Sequence, residues 1–527
     1  MSQANAVPDE GWHPGHNPML IALTVTMATF MEVLDTSIAN VALPHMAGNL
    51  SVSQAQSTWV LTAYLVSNAV ILPISGWISA RIGRKRFYMS CVALFTISSF
   101  LCGIAPNLGS LIFFRVLQGI GGGGLGPSEQ SILADTFPRA KHGMAFAIYG
   151  MAVVLAPAIG PTLGGFITDN YSWRWVFFIN VPVGIVSMIL TNKMVVDPPW
   201  IAQKKSTPVP IDIAGLTLIT VGLGSLEVVL DKGQEEDWFH SPFICGFALV
   251  SVVSLVALVL WELRTKHPII DVRLFKDRTF AVACGMMFML GLSLFATTLL
   301  LPQFTQVMLG YSAQQAGMAL SPGAVLVICL MPFVGKTVSK SDPRKMIAFG
   351  FFVLSMAMFY MSHRLYLGID FKHAMLFRVY QAFGLAFLFV PINTLAFSSV
   401  PPAKSNAVSG LINLSRNMGG DMGIALVTTM LARSAQVHQA ELTTHTTLFD
   451  APFRDRLAGI TAALQAAGTS AADATLKAYR AIYGTVLGQA QTMAYMDVLY
   501  ILACGTVLMV PLTFFMKRAR GPANMGH

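Results

Sequence analysis

An all-α polytopic membrane protein is predicted by three observations: the composition, a succession of apolar runs, and the side on which basic residues gather. Hydrophobic residues make up 54% of the 527-residue chain and charged residues 11%, against roughly 25% charged in a soluble domain. The mean hydropathy is +0.62, more apolar surface than a soluble core can hide. Fourteen apolar runs of spanning length follow one another, at about 19–43, 57–80, 87–105, 110–132, 143–167, 175–196, 212–230, 242–262, 279–301, 316–336, 346–362, 374–398, 406–432 and 495–516. Lysine and arginine alternate in density between successive loops. Arg81, Arg84, Lys85, Arg86, Arg139, Lys141, Lys204, Lys205, Arg273, Lys276, Arg344 and Lys345 fall on one side, whereas the short loops opposite hold Arg174, Lys232, Arg364 and Lys372. Positive loops stay cytoplasmic, so both termini are expected in the cytoplasm. The same asymmetry accounts for a net charge of +9 without nucleic acid.

Residues 1–18 form a polar cytoplasmic tail without lysine or arginine, unlike a signal peptide. The first span carries Glu32 and Asp35, three residues apart and expected on one helical face. Ionisable groups at membrane depth are costly and mark functional positions by default. The second span runs into the tight basic loop GWISARIGRKR, which contains Gly76, Arg81, Gly83 and Arg84. The fourth span carries Arg115 and Glu129 and closes near Asp135. An arginine in contact with Asp35 would hold it ionised, and withdrawal of that arginine in apolar surroundings would let it take a proton. A static buried ion pair tying spans one and four together is the other meaning of the same residues. Gly119 to Gly124 formally matches G-x-G-x-x-G, but an apolar helix surrounds it and no strand precedes it, so dinucleotide binding is not expected.

The fifth span contains GMAVVLAPAIGPTLGG, from Gly150 to Gly165. Proline removes an internal hydrogen bond and bends a helix. Gly150, Pro157, Pro161 and Gly164 fall near one face that is almost bare of side chains, with Gly160 and Gly165 alongside. Such a face serves close helix packing or motion. After the sixth span, 197–211 is a proline-rich cytoplasmic connection. Spans seven, carrying Glu227, and eight follow, and 263–278 is a basic connection. GKTVSKSDPRK after the tenth span repeats the glycine and basic loop after the second. Two six-helix halves, 19–196 and 279–516, are therefore expected on either side of an inserted segment, 197–278, with a substrate site near the midplane between them. Arg378, Arg416 and Asp421 lie in the second half. With Glu129 and Glu227, Arg378 and Asp421 are candidates to line its cavity. The 29 Met and 34 Phe of the chain supply soft apolar surface for varied ligands there.

Residues 433–492 form an external segment, helix-forming in composition from Phe453 to Gln489 and expected to project as either a spacer or a docking element. Residues 517–527 are a cytoplasmic tail. The six cysteines all lie within apolar runs and are read as small core residues. No metal-ligand spacing, P-loop or nucleophile motif occurs, so neither enzymatic activity nor a cofactor is expected.

These stretches carry a resemblance over nearly the whole chain. LDTSIANVALP with Asp35, GWISARIGRKR, RVLQGIGGG with Arg115, and the stretch ending GPTLGG resemble the major facilitator superfamily and, within it, the fourteen-span drug:proton antiporters. DNYSWRWVFFINVPVG, DKGQEEDWF and WELRTKHPIIDVRLFKDRTF are similar to the EmrB-type pumps. The resemblance implies the major facilitator fold and a proton-coupled antiporter exporting hydrophobic, drug-like or weakly acidic compounds. A fatty-acid or nutrient transporter of the same fold is the alternative. It implies Asp35 and Arg115 as the coupling pair; Glu32, on the same helical face by spacing, is a further candidate for the proton. Gly76, Arg81, Gly83 and Arg84 would form a cytoplasmic gate loop with Asp135 as partner, and Gly150, Pro157, Gly160, Pro161, Gly164 and Gly165 an antiporter hinge. It also implies a bacterial inner-membrane location, with a periplasmic adaptor and an outer-membrane channel as partners. Ala80 stands where the superfamily loop usually carries an aspartate, which leaves that part of the gate without its usual acid.

Overall fold

The computed structural model describes residues 15–138, 141–197, 212–266, 268–400 and 404–517. Most of the tail 1–18, Arg139, most of the connection 197–211, and the tail beyond Lys517 lie outside the described residues. Every regular element among the described residues is helical.

The first half comprises α1 (Pro18–Leu50), α2 (Trp59–Ile82), α3 (Arg84–Gly103), α4 (Leu108–Gly122), α5 (Leu125–Thr136), α6 (His142–Asn170) and α7 (Asn180–Met194). The inserted pair is α8 (Ile213–Lys232) and α9 (Pro242–Arg264). The second half comprises α10 (Arg278–Leu309), α11 (Ala313–Thr337), α12 (Pro343–Arg364), α13 (Phe371–Ala386), α14 (Phe389–Ser398), α15 (Ser405–Thr444), α16 (Ala451–Ala466) and α17 (Ala471–Val507). Among the described residues thirteen helical units are long and apolar enough to cross a membrane, with α4–α5 and α13–α14 each counted as one. The remaining long helix, α15, carries Arg416 and Asp421 and runs on into a polar stretch.

Local chemistry sets the ends of these helices. Asn17 accepts from the Met19 amide, with Pro18 in the first turn, where its missing N–H costs nothing. Capping boxes start α4 (Asn107 with Ser110) and α11 (Ser312 with Gln315), and Asp342 caps α12. Gly83 ends α2 at φ 96°, a left-handed turn that sends the chain straight into α3.

The two halves repeat one packing plan. α1 lies along α6 and α7 as α10 lies along α15 and α17, and α4 sits between α2 and α3 as α13 sits between α11 and α12. Between the halves, α6 packs on α11 and α15 packs on α2. Small residues make the closest of these approaches. A side chain at Gly160 or Gly164 would strike Ser37 or Ile38 of α1, and one at Gly291 or Gly419 would strike the backbone between α10 and α15. Span four breaks between Gly122 and Leu125, and span twelve between Ala386 and Phe389. Gly119 and Gly121 of the G-x-G-x-x-G run lie at the end of α4, and Gly124 lies in the break that follows. Gly119 and Gly121 let the backbone approach α2 and α3, which is packing and not a phosphate cradle.

α8 packs against α2 and α15, and α9 lies outside α8 with an apolar surface at Leu249, Val252, Val253 and Val256 that suits lipid. One expectation changes. Cys91, Cys102 and Cys284 are buried, but Cys245 and Cys329 are exposed and Cys504 is intermediate, because an apolar run in a membrane protein has an outward face as well as an inward one. The segment 433–492 is largely helical, in keeping with its composition. α15 continues to Thr444, α16 follows, and α17 begins at Ala471 and continues unbroken into the last span. The interruption at Gly468, with φ 89°, falls inside the Phe453–Gln489 stretch.

Candidate functional site

Asp35 and Arg115 meet in the middle of the first half. Arg115 Nη1 donates to Asp35 Oδ2 at 2.5 Å, and both side chains are completely enclosed. The carboxylate is held by two more donors: Gln118 Nε2 at 3.0 Å and Asn180 Nδ2 at 2.6 Å, both to Oδ1. Arg115 in turn donates to Gln118 Oε1 (2.7 Å) and, through Nε, to the Val60 carbonyl (3.1 Å), and its guanidinium lies 4.3 Å over the Tyr64 ring. Hydrogen bonds to the remaining donors and acceptors offset the cost of burying an ion pair. This one draws partners from α1, α2, α4 and α7, while Arg115 Nη2 has none. Gln118 and Asn180 lie within the quoted stretches RVLQGIGGG and DNYSWRWVFFINVPVG but were not singled out there.

Glu32 has none of the donors that hold the Asp35 carboxylate. One turn earlier on α1, its Oε1 accepts from Asn68 Nδ2 at 3.1 Å and from the Tyr64 hydroxyl at 3.4 Å. The single face expected for Glu32 and Asp35 is thus divided: Asp35 turns inward to α4 and α7, and Glu32 turns to α2. The physical reason is the roughly 60° between positions three apart on a helix of 3.6 residues per turn.

Glu32 lines a small polar cavity between the halves, with Asn68, Gly122, Gly123 and Gly126 on one side and Asn413, Arg416 and Asn417 on the other. A hydrogen-bonded chain crosses the seam beside it. Arg416 Nη1 donates to the Tyr149 hydroxyl (3.2 Å), which donates to Asn413 Oδ1 (3.0 Å). Asn413 Nδ2 and Ser409 Oγ both donate to Gln130 Oε1, at 2.8 and 2.9 Å. Tyr149, Asn413, Ser409 and Gln130 were invisible as a group in the sequence, since they come from three helices. The Met- and Phe-rich cavity expected here is closed. Phe389 stacks on Tyr149 with centroids 5.5 Å apart, and Met331 packs with Phe389 against Gly150.

None of Glu129, Glu227, Arg378 and Asp421 lines that cavity. Glu129 Oε1 accepts from Thr26 at 2.5 Å in the α1–α5 seam, and its Oε2 has no partner. Glu227 of α8 is buried beside Asp421 of α15, one turn from Asp231. Arg378 is buried against the Thr297 and Thr298 hydroxyls of α10. Helix phase turns all four into helix–helix seams and away from the midline.

At the basic-loop end, Arg84 pairs with Asp135 and donates to the Ser131 carbonyl at 2.9 Å. Its other nitrogen reaches Ser405 of the second half at 3.4 Å. Asn406 donates to Ser79 at 3.4 Å, and Gly76 lies against the Asn406 backbone. Arg81 stacks on Trp77 at 5.6 Å. The halves are closed over this end.

The expected hinge is a continuous 29-residue helix in spite of Pro157 and Pro161. Its small residues occupy two flanks and not one: Gly160 and Gly164 face α1, whereas Gly150 faces Phe389 and Met331 of the other half. Pro161 has no N–H to give the Pro157 carbonyl one turn back. The Ser37 hydroxyl of α1 supplies a donor to that carbonyl, at 3.4 Å. Ser37 lies two residues beyond Asp35.

Two six-helix halves, an inserted pair and buried charges at the pseudo-symmetric seams define a multi-pass membrane transporter of small molecules, not an enzyme. The chain matches the Major Facilitator Superfamily over residues 25–424 and belongs to that family. It is 38% identical to the multidrug export protein EmrB of Escherichia coli (strain K12), over 81% of this chain and 83% of that protein. It is also 38% identical to the fatty acid resistance protein FarB of Neisseria gonorrhoeae, over 83% and 85% of the two chains. Among solved structures it superposes on the proton:xylose symporter XylE, bound to 6-bromo-6-deoxy-D-glucose, with a TM-score of 0.61 at 13% identity, covering 96% of this chain and 97% of that one. That likeness concerns the fold alone.

Proposed function

We propose that the chain is a proton-driven antiporter that exports hydrophobic, drug-like or weakly acidic compounds across a bacterial inner membrane. In this reading both termini are cytoplasmic, and a periplasmic adaptor and an outer-membrane channel complete the route. The observation that carries it is the fully enclosed Asp35–Arg115 pair, set two residues from the Ser37 contact with the Pro157 carbonyl of α6. The names of the 38%-identical relatives, a multidrug exporter and a fatty acid resistance protein, support the substrate range.

The cycle follows from the connections of α1. Protonation of Asp35 removes the charge that holds Arg115, Gln118 and Asn180 together. α1 is then free to slide on α6, where Ser37 and Ile38 meet Gly160 and Gly164. The same helix carries Glu32 into the cavity shared with Arg416, so a proton event inside the first half reaches the seam between halves. Arg84, Asp135, Ser405 and Asn406 would part when the basic-loop end opens to the cytoplasm. The driving force is about 2.3 kcal/mol per charge per 100 mV, plus any pH gradient.

Asp35→Asn keeps the size of the side chain but exchanges one acceptor oxygen for an NH2 donor, and it cannot cycle a proton. It should abolish proton-driven dye or drug efflux from energised inverted vesicles while leaving the protein in the membrane. Undiminished gradient-dependent transport by this variant would overturn the coupling assignment. Substrate movement in the opposite direction in the same vesicles would identify an importer.

A further inference from the structure

Arg378 repeats Arg115 in the second half. Arg115 to Gly121 reads R-V-L-Q-G-I-G, and Arg378 to Gly384 reads R-V-Y-Q-A-F-G. Each run lies on the fourth span of its half, just before the break in that span. Each arginine is buried, at 0% and 2% exposure, and each reaches the first helix of its own half. The two sites differ in charge. Arg115 meets the Asp35 carboxylate. Arg378 meets only hydroxyls, Thr297 Oγ1 at 3.4 Å and Thr298 Oγ1 at 3.1 Å, and no carboxylate among the described residues lies within ion-pairing distance of it. Arginine does not shed its proton in proteins, so burial leaves a full positive charge with neutral partners, which is costly at membrane depth.

The glutamine of the repeat differs in the same sense. Gln118 uses both ends of its amide, donating to Asp35 and accepting from Arg115. Gln381 donates only to the Met361 sulfur at 3.6 Å, and its Oε1 has no partner. An anion placed as the Asp35 carboxylate is placed in the first half would take the fork of Arg378 and the Nε2 donor of Gln381. Gln381 Oε1 would then accept from Arg378, as Gln118 does from Arg115. Gly323 lets α11 pack directly on the Arg378 stem, where a Cβ would lie 2.8 Å from its Cγ.

We infer that Arg378, Gln381, Thr297 and Thr298 form an anion subsite in the second half that takes the carboxylate, or a comparable anionic headgroup, of an amphiphilic organic substrate. This rests on the export reading for its place in transport, but the subsite itself is measurable at equilibrium without transport.

The test is binding to the full chain in nanodiscs, followed by thermal unfolding. The probes are sodium octanoate, octanol as its uncharged analogue, and sodium chloride. Octanoate should raise the melting temperature of the unaltered protein, whereas octanol at the same concentration should not. Arg378→Gln should weaken octanoate binding by at least about tenfold, as expected for loss of one charge-assisted hydrogen-bonded pair. Thr298→Val, which removes a hydroxyl at constant size, serves the same comparison should the glutamine variant fail to fold. Equal octanoate affinity in the variant and the unaltered protein overturns the subsite. So does an octanol shift equal to that of octanoate, which would mark a purely apolar contact. Displacement of octanoate by millimolar chloride would assign the site to inorganic anions and overturn the organic one. Asp35→Asn, assayed beside these, should keep octanoate binding while losing export, so the two readings fail separately.

Discussion

Asp35 shows how much of a buried charge depends on its neighbours. Its oxygens take donors from Arg115, Gln118 and Asn180, and each of those side chains is itself enclosed. Removal of one partner leaves a buried group unsatisfied, at about 1–3 kcal/mol. Asn180→Leu should therefore slow proton-driven flux by about tenfold or more, with substrate affinity in de-energised vesicles little changed. A loss of affinity with flux preserved would place Asn180 in substrate binding. Arg84 and Asp135 supply a charge pair at the basic-loop end even though Ala80 replaces the usual acid of the loop. Asp135→Asn should weaken closure of that end and raise the labelling of a cysteine introduced at Ser405 by a water-soluble maleimide.

At the scale of elements, α6 runs unbroken through Pro157 and Pro161, and α1 supplies a donor to the carbonyl that Pro161 leaves without an N–H. Pro161→Ala restores an N–H that can bond the Pro157 carbonyl within the helix, which releases Ser37. The variant should melt no lower than the unaltered protein and transport more slowly, a trade of mobility for order. Gly160→Leu acts differently. Its Cβ alone would lie 2.2 Å from Ser37 Oγ, so α1 must move, at about 1–3 kcal/mol for overpacking, and both melting temperature and transport should fall. Gly246→Leu is the control, since nothing lies within 4 Å of that position.

The whole molecule is held shut at its basic-loop end by contacts between halves: Arg84 with Ser405, Ser79 with Asn406, and Gly143 against Gly335. Cysteines placed at Ser79 and Asn406 should form a disulfide under mild oxidation that stops transport, and a reductant should restore it. Transport that continues through the cross-link would show that this end does not open during the cycle.

The halves, the inserted pair and the spans were legible in the sequence because lipid demands long apolar helices and gathers most basic residues at their ends. Asp35, Arg115 and the glycine–proline stretch of α6 were legible too, since a charge or a proline inside an apolar run has few ordinary uses. Neither run length nor motif spacing could give the direction in which a side chain points. That is set by the phase of each helix against its neighbours. Tertiary packing alone separated Glu32 from Asp35, gave Asp35 its partner Asn180 from α7, split the glycines of α6 between two flanks, and joined Tyr149 to Asn413 across the seam. It also set Arg378 against hydroxyls where its sequence twin Arg115 meets a carboxylate, because a buried charge is defined by the helices packed around it and not by the helix that carries it.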